Sequence, residues 1–409
     1  MATIIPKLTI TSSNAMTDVL NISLSENLTV TDPVEISKVN ITTGAGSVGR
    51  NTLIPSSDSN TYYVFLKNTD STNWLDITFD GTNDMQPDMC WVKDRERSGY
   101  NNILNDSVRG VTNYLRTNLI NDDDTYTDAM TSFDSDGFTL GSDASNGEHN
   151  VSTETYVSWN WKAGTAFSND ASATGIGTID SSGSVNDTAG FSIVIRTGTG
   201  SAGTIKHGLS TVPKMIWTKM RGPGSSDHES WGVYHISLGN THYMKLDTNE
   251  AKDSSSGVWN NTTPTTSVFS VGSSALVNGS GKTYVDYVFS EVKGYSKIGK
   301  YEGNGNNNGP FNYTGFKPAF IITKTVDSTY HWSLNDNKRD TGNPSDNRLY
   351  PSQNAAEATS TNYHIDFLSN GFKIRSSHVA FNNNGDDVIY IAFAENPFVN
   401  SKGTPGTAR

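Results

Sequence analysis

One short frame occurs three times in the chain and decides most of what it can fold into: Pro87-Asp-Met-Cys-Trp-Val-Lys93, Pro213-Lys-Met-Ile-Trp-Thr-Lys219 and Pro318-Ala-Phe-Ile-Ile-Thr-Lys324. In each, a proline opens an apolar strand and a lysine follows six residues on. Some 45–50 residues later each copy has a polar–apolar alternation ending in an aromatic: Thr131-Ser-Phe-Asp-Ser-Asp-Gly-Phe138, Thr266-Ser-Val-Phe269 and Asp366-Phe-Leu-Ser-Asn-Gly-Phe372. A strongly apolar closing strand then follows: Tyr156-Val-Ser-Trp-Asn-Trp161, Tyr284-Val-Asp-Tyr-Val-Phe289 and Tyr390-Ile-Ala-Phe-Ala-Glu395. The same landmarks in the same order three times mean duplication. The prolines lie 126 and 105 residues apart, so each unit is domain-sized, and separate sandwiches are expected rather than the rungs of a solenoid.

Apolar residues recur in pairs and alternations broken by Gly, Asn, Ser and Thr every six to twelve residues, which is strand rather than helix patterning. Turn steps such as Asp80-Gly81, Asn278-Gly279 and Asn370-Gly371 supply the positive φ of tight hairpins. The expected fold is all-β: a small N-terminal β module followed by three tandem antiparallel jelly-roll or β-sandwich domains. Only Thr248–Ser254 and Asn354–Thr359 look helical. The expected boundaries are 1–76 for the N-terminal module, 77–164, 189–298 and 299–398 for the repeats, and 399–409 for a tail. Thr165–Thr188, rich in Gly, Ser, Ala and Asp, reads as a flexible connection. The first repeat is shortened at its front edge, where Gly81 stands six residues before Pro87 while Gly198 and Gly303 stand fifteen before their prolines.

Residues 1–76 alternate Leu8/Ile10, Leu20/Ile22/Leu24 and Val34/Ile36 with polar residues. So narrow an apolar face needs further strands or a partner surface. The segment reads as a docking or oligomerisation module; the alternative is a small sandwich packed on the next domain.

Net charge −12 and pI ≈ 5.1 argue against a nucleic-acid partner, because phosphate binding rests on a basic surplus. The 10% aromatic content is too high for a disordered polymer. The single cysteine, Cys90, closes no intrachain disulfide. The start MATIIPKLTI has no signal-peptide pattern and no 18-residue apolar run occurs, so a soluble chain is expected.

Catalytic patterns are missing. There is no Gly-x-Ser-x-Gly elbow and no Cys/His cluster; His228, His235 and His242 lie seven apart, a spacing without chelating geometry on a strand. Glu291, Glu302 and Glu395 read as edge carboxylates rather than a glycosidase pair. Asp122-Asp-Asp124 lacks the ordered ligand spacing of a calcium loop. No enzyme activity, cofactor or metal is expected. The informative pair is Asp-x-x-Arg, which occurs as Asp106/Arg109 and Asp336/Arg339, with His235 and Leu238 at the matching places of the middle repeat. Its plain reading is an ion pair at a turn. The sharper one is a glycan- or partner-contacting edge with Tyr114 and Trp231 as flat platforms, which makes Asp106, Arg109, Tyr114, Trp231, His235, Asp336 and Arg339 the candidate contact residues. Trp91, Trp159, Trp161 and Trp217 belong to the core. Trp74, Trp231, Trp259 and Trp332, in less regular polar segments, are expected to be partly exposed.

The phrases Trp91-Val-Lys93, Asp106-Ser-Val-Arg-Gly110, Asp134-Ser-Asp-Gly-Phe138, Val157-Ser-Trp-Asn-Trp-Lys-Ala-Gly164 and Phe393-Ala-Glu-Asn-Pro-Phe398 resemble a family of tandem-repeat virion proteins of tailed, often marine, phages. The resemblance covers roughly residues 77–398. It implies lectin-like, concanavalin-type repeats and a structural protein on the virion exterior, made in the host cytoplasm. Tail-fibre or spike attachment to a host-surface glycan is the first function it implies, and capsid decoration or a head fibre the second. The implied partners are other virion proteins reached through residues 1–76 and further copies of the chain in a homo-oligomer, a trimer.

Overall fold

The computed structural model describes residues 85–222 and 228–397, with the two-residue strands Thr3–Ile4 and Leu28–Thr29, which pair antiparallel. The chain divides into two compact units, 1–84 and 85–409. The expected docking module at 1–76 and the tail at 399–409 otherwise lie outside the described residues.

Residues 85–397 are all-β, and the three repeats have the same plan. Each signature strand pairs antiparallel with its closing strand: Met89–Asp94 with Tyr156–Trp161, Pro213–Gly222 with Thr283–Ser290, and Pro318–Thr325 with Asp387–Ala394. On the other side of each signature strand comes Asn102–Asp106, Gly232–His235 or Ser333–Asp336. A smaller second layer covers each sheet, the Met130–Asp134/Gly137–Leu140 hairpin in the first repeat and the Gly203–Lys206/Val268–Val271 pair in the second. In the third it is a sheet of three strands, Phe311–Tyr313, Gly371–Ile374 and Ile365–Leu368.

The register corrects one alignment. Trp91 faces Trp159, Trp217 faces Tyr287 and Ile322 faces Ile391, while Met89, Met215 and Phe320 face Trp161, Phe289 and Phe393. The third closing strand therefore matches the others from Val388 rather than Tyr390. Tyr390 stands where the other repeats have Ser158 and Asp286 and looks like their opening tyrosines, which made the two-residue slip look natural, and such a slip preserves the face of every side chain.

Alternation explains why the signature strands read as unbroken apolar runs. Cys90 and Val92, Ile216, and Ile321 point to the covering layer of their own repeat, forming separate outer cores. Met89, Trp91, Met215, Trp217, Phe320 and Ile322 point the other way and enter one cluster shared by all three sheets. Ring contacts cross every boundary: Trp91 to Trp217 at 5.8 Å, Trp161 to Phe320 at 5.5 Å, and Phe289 to Phe393 at 6.2 Å. The repeats are thus sandwiches fused on a common core, not separate domains.

The expected flexible connection is also corrected. Thr165–Asn169 and Ser181–Asn186 are the first two strands of an eight-stranded sheet, and a helical turn at Ala171–Thr174, capped by the Asp170 side chain on the Ala173 amide, joins them. Small residues here satisfy close strand packing instead of looseness: a Cβ at Gly183 would sit 1.9 Å from the Ile193 carbonyl oxygen. The α-helical turns are at Ala171–Thr174, Ser256–Trp259, Ala275–Asn278 and Val379–Asn382. None occupies the stretches expected, since the Asp, Ser and His N-caps at 170, 255, 274 and 378 carry the local signal.

Because Trp159 touches Trp91 and Phe320 at once, Trp159→Ala is expected to cost about 3–5 kcal/mol. Urea unfolding followed by fluorescence and by far-UV dichroism should give one coincident transition for all three repeats.

Candidate functional site

The Asp-x-x-Arg pairs occupy equivalent places at the ends of Asn102–Asp106 and Ser333–Asp336. In each, one aspartate oxygen caps the turn by accepting the backbone N–H of the arginine, Arg109 to Asp106 at 2.8 Å and Arg339 to Asp336 at 2.9 Å. The other oxygen accepts from the guanidinium Nε at 2.5 and 2.6 Å. Each guanidinium also donates to the carbonyl of Leu104 or Leu334. The far end binds a second carboxylate, Asp123 at 2.7 Å or Glu357 at 2.5 Å. That carboxylate in turn holds an arginine of a neighbouring repeat: Asp123 binds Arg221 and Glu357 binds Arg95. Burial raises the Glu357 carboxyl, but hydrogen bonds from Arg95 and Arg339 hold it below its ordinary value.

These ladders sit at the joints between repeats, and the neighbour's closing strand completes them. The Tyr287 hydroxyl donates to Asp106 at 2.5 Å, and Trp159 Nε1 donates to Asp336 at 3.1 Å. At the third joint the equivalent residue is His235, whose Nε2 meets the Tyr390 carbonyl at 3.3 Å while its Nδ1 accepts from the Ser237 amide. Leu238, Lys252 and Val326 replace the arginine, the carboxylate and the neighbouring arginine of the other two joints. A shallow cavity of about 100 Å³, lined by Leu238, His242, Lys252, Lys300, Val326 and Asp387, marks the difference.

Two further contacts recur at all three joints. Trp231 Nε1 donates to the Arg116 carbonyl, Trp332 Nε1 to that of Lys245 and Asn102 Nδ2 to that of Tyr350. The amides of Asp123, Lys252 and Glu357 donate to the carbonyls of Arg221, Val326 and Arg95 at 3.0, 2.8 and 2.7 Å. Contacts at equivalent positions from first to second, second to third and third to first repeat close the body into a ring of approximate threefold symmetry. Two of the three signature lysines are part of it. Lys219 Nζ reaches Ile120 O of the first repeat and Lys324 Nζ reaches Asn249 O of the second, while Lys93 Nζ binds Tyr100 O. Burial pushes Lys93 and Lys219 down to about 8 and Lys324 to about 7.

The candidate contact surface is therefore corrected. Asp106, Tyr114, Trp231 and His235 are fully buried, and Arg109 and Asp336 nearly so. The Arg339 side chain is 3% exposed. Tyr114 is stacked on Tyr126, and Trp231 on Tyr287. Trp259 and Trp332 are buried too. None of these rings offers a free face; polar sequence neighbours misled because those neighbours cap turns and brace joints. The plain ion-pair reading of Asp-x-x-Arg holds, with burial added. What spacing could not supply is the partner from another repeat.

Three further carboxylates are committed to ion pairs, while Glu302 is exposed. Glu291 binds Lys214 and Lys297, Glu395 binds Lys317 and Lys338, and Asp124 binds Arg116. Among the described residues no group of three or more His, Cys, Asp or Glu is placed to hold a metal ion, and no helix is long and apolar enough to cross a membrane.

Comparison with known proteins agrees with one body rather than three domains. A single family model, described as Domain of unknown function (DUF7483), matches residues 75–397. The chain belongs to this family. The match runs through all three repeats. No curated protein and no solved structure matched the chain.

The buried histidines give the ring an acid limit. Burial lowers His207 and His235 from 6.5 to about 4. The unfolded chain takes up these protons below pH 6.5 while the folded one does not until about 4, so stability falls with pH across that window. Each contributes about 2 kcal/mol of loss between pH 7 and pH 5. Urea midpoints at the two pH values should show the drop, and His235→Gln should remove its share.

Proposed function

We propose that the chain is a structural protein of a tailed-phage virion exterior, of tail-fibre or spike type, whose repeats attach to a host-surface glycan. The observation that carries this reading is the use made of ionisable side chains. Arginines, carboxylates and two of the signature lysines, Lys219 and Lys324, are spent bracing three sandwiches into one body, which suits display and load-bearing. The tandem-repeat motifs resemble those of phage virion proteins, and the net charge of −12 suits an exposed, soluble surface. Residues 1–76 dock the chain on other virion proteins and trimerise it, and weak glycan contacts gain strength from copy number.

Capsid decoration is the second reading. The approximate threefold symmetry of the ring favours it, since such a body matches a threefold seat on a shell.

Quantitative mass spectrometry of purified particles separates the two. A fibre or spike predicts a few tens of copies per virion, and decoration predicts hundreds. Absence from washed particles contradicts both. Purified full-length protein added in excess is expected to slow phage adsorption to its host, and unchanged adsorption would contradict attachment.

A further inference from the structure

Arg348 is a cation without a counter-ion. It is 3% exposed, its guanidinium lies 3.9, 3.8 and 5.5 Å from the ring centroids of Tyr350, Tyr363 and Phe381, its side chain hydrogen-bonds Tyr363, and its Nε and Nη1 are buried with no hydrogen-bond partner. No carboxylate among the described residues pairs with it. A buried charge without a counter-ion is a costly arrangement in a protein, and burial lowers Arg348 from the ordinary arginine value despite Tyr350 and Tyr363, which act the other way.

The other repeats show what the scaffold puts there when no ligand is needed. Arg348 and Tyr350 flank Leu349 as Tyr114 and Arg116 flank Leu115, so the first repeat has the same cation and ring with places exchanged. There Arg116 lies over Tyr114 at 4.8 Å and pairs with Asp124 and Glu148. Asp124 stands across the strand pair from Tyr114, and in the second repeat Asp253 stands across from Tyr243. In the third repeat that cross-strand position is Ala358. The carboxylate is missing from the one repeat whose cation is buried deepest.

The surroundings complete a site. Tyr330, His331, Tyr350, Tyr363 and His378 are half-buried, so the cluster reaches the surface. Tyr363 and His378 stand 4.9 Å apart edge to face, and Tyr330 and His378 6.2 Å. Arg348 pulls both histidines' affinity for protons down, second to burial, which places one positive field over the cluster.

We infer that Arg348 is the floor of an oxyanion site in the third repeat that takes the carboxylate of an acidic sugar, with the sugar ring against the flanking tyrosine and histidine rings. The carboxylate replaces the missing partner at position 358, and ring stacking suits a saccharide. The acidic-sugar identity rests on the attachment reading above; the oxyanion site does not.

The test uses full-length protein titrated with sodium glucuronate and galacturonate, with glucose, galactose and inorganic phosphate in parallel, read by calorimetry and thermal unfolding. Uronates are expected to bind and raise the melting temperature, and the neutral sugars to do neither. Arg348→Met is expected to fold with unimpaired stability and weaken uronate binding at least about tenfold, because removing an unpaired buried charge relieves the fold. Ala358→Asp restores the carboxylate of the other repeats and is expected to raise the melting temperature and abolish the uronate response. Uronate binding unchanged in both variants overturns the site, as does absence of any anion response in the wild type. A response to phosphate without one to uronates overturns the sugar assignment, whatever the adsorption experiment gives.

Discussion

The inner faces of three sheets meet in one aromatic cluster, and the rest of the structure follows from that meeting. A sheet facing water on one side alternates apolar and polar residues, whereas a strand buried on both faces cannot. Met89 through Val92, Met215 through Trp217 and Phe320 through Ile322 are buried without a break because one face fills the repeat's own sandwich and the other fills the shared centre. Large aromatics suit that centre: Trp159, Trp161, Trp217 and Phe393 each reach a ring of a different repeat and pack edge to face.

Polar groups make the arrangement specific. Aromatic packing alone allows the sheets to rotate or slide, but the Arg221–Asp123–Arg109–Asp106–Tyr287 chain of contacts and its counterpart Arg95–Glu357–Arg339–Asp336–Trp159 each admit one geometry. Breaking such a buried pair leaves a desolvated charge, which costs more than an exposed ion pair ever contributes. The joint between second and third repeats keeps the backbone and tryptophan contacts while exchanging the ladder for His235, Leu238 and Val326. Divergence after duplication thus changed the chemistry of one joint without losing its position.

The repeat, its all-β character and the tryptophan core were legible because they follow from periodicity within each copy. The equivalence of Asp106, His235 and Asp336 was legible for the same reason. Fusion of the sandwiches was not, since domain-sized spacing looks the same whether inner faces are covered by a second layer or by another repeat. The surplus of aromatics in strands already buried by their own layer was the available signal. Surface and interior were confused at Trp231 and Tyr114 for a related reason: their polar neighbours serve the joints. Arg348 escaped notice because an arginine without a counter-ion is visible only when the carboxylates near it are known.

The most direct measurement of the closed ring is amide hydrogen exchange at Asp123, Lys252 and Glu357, the N–H groups that donate across the three joints. A ring that opens only by global unfolding predicts equal protection at all three, at the level of the slowest amides in the signature strands. Fast exchange at any one of them, with the strands still protected, would mean that the repeats separate as independent sandwiches and would contradict the shared core.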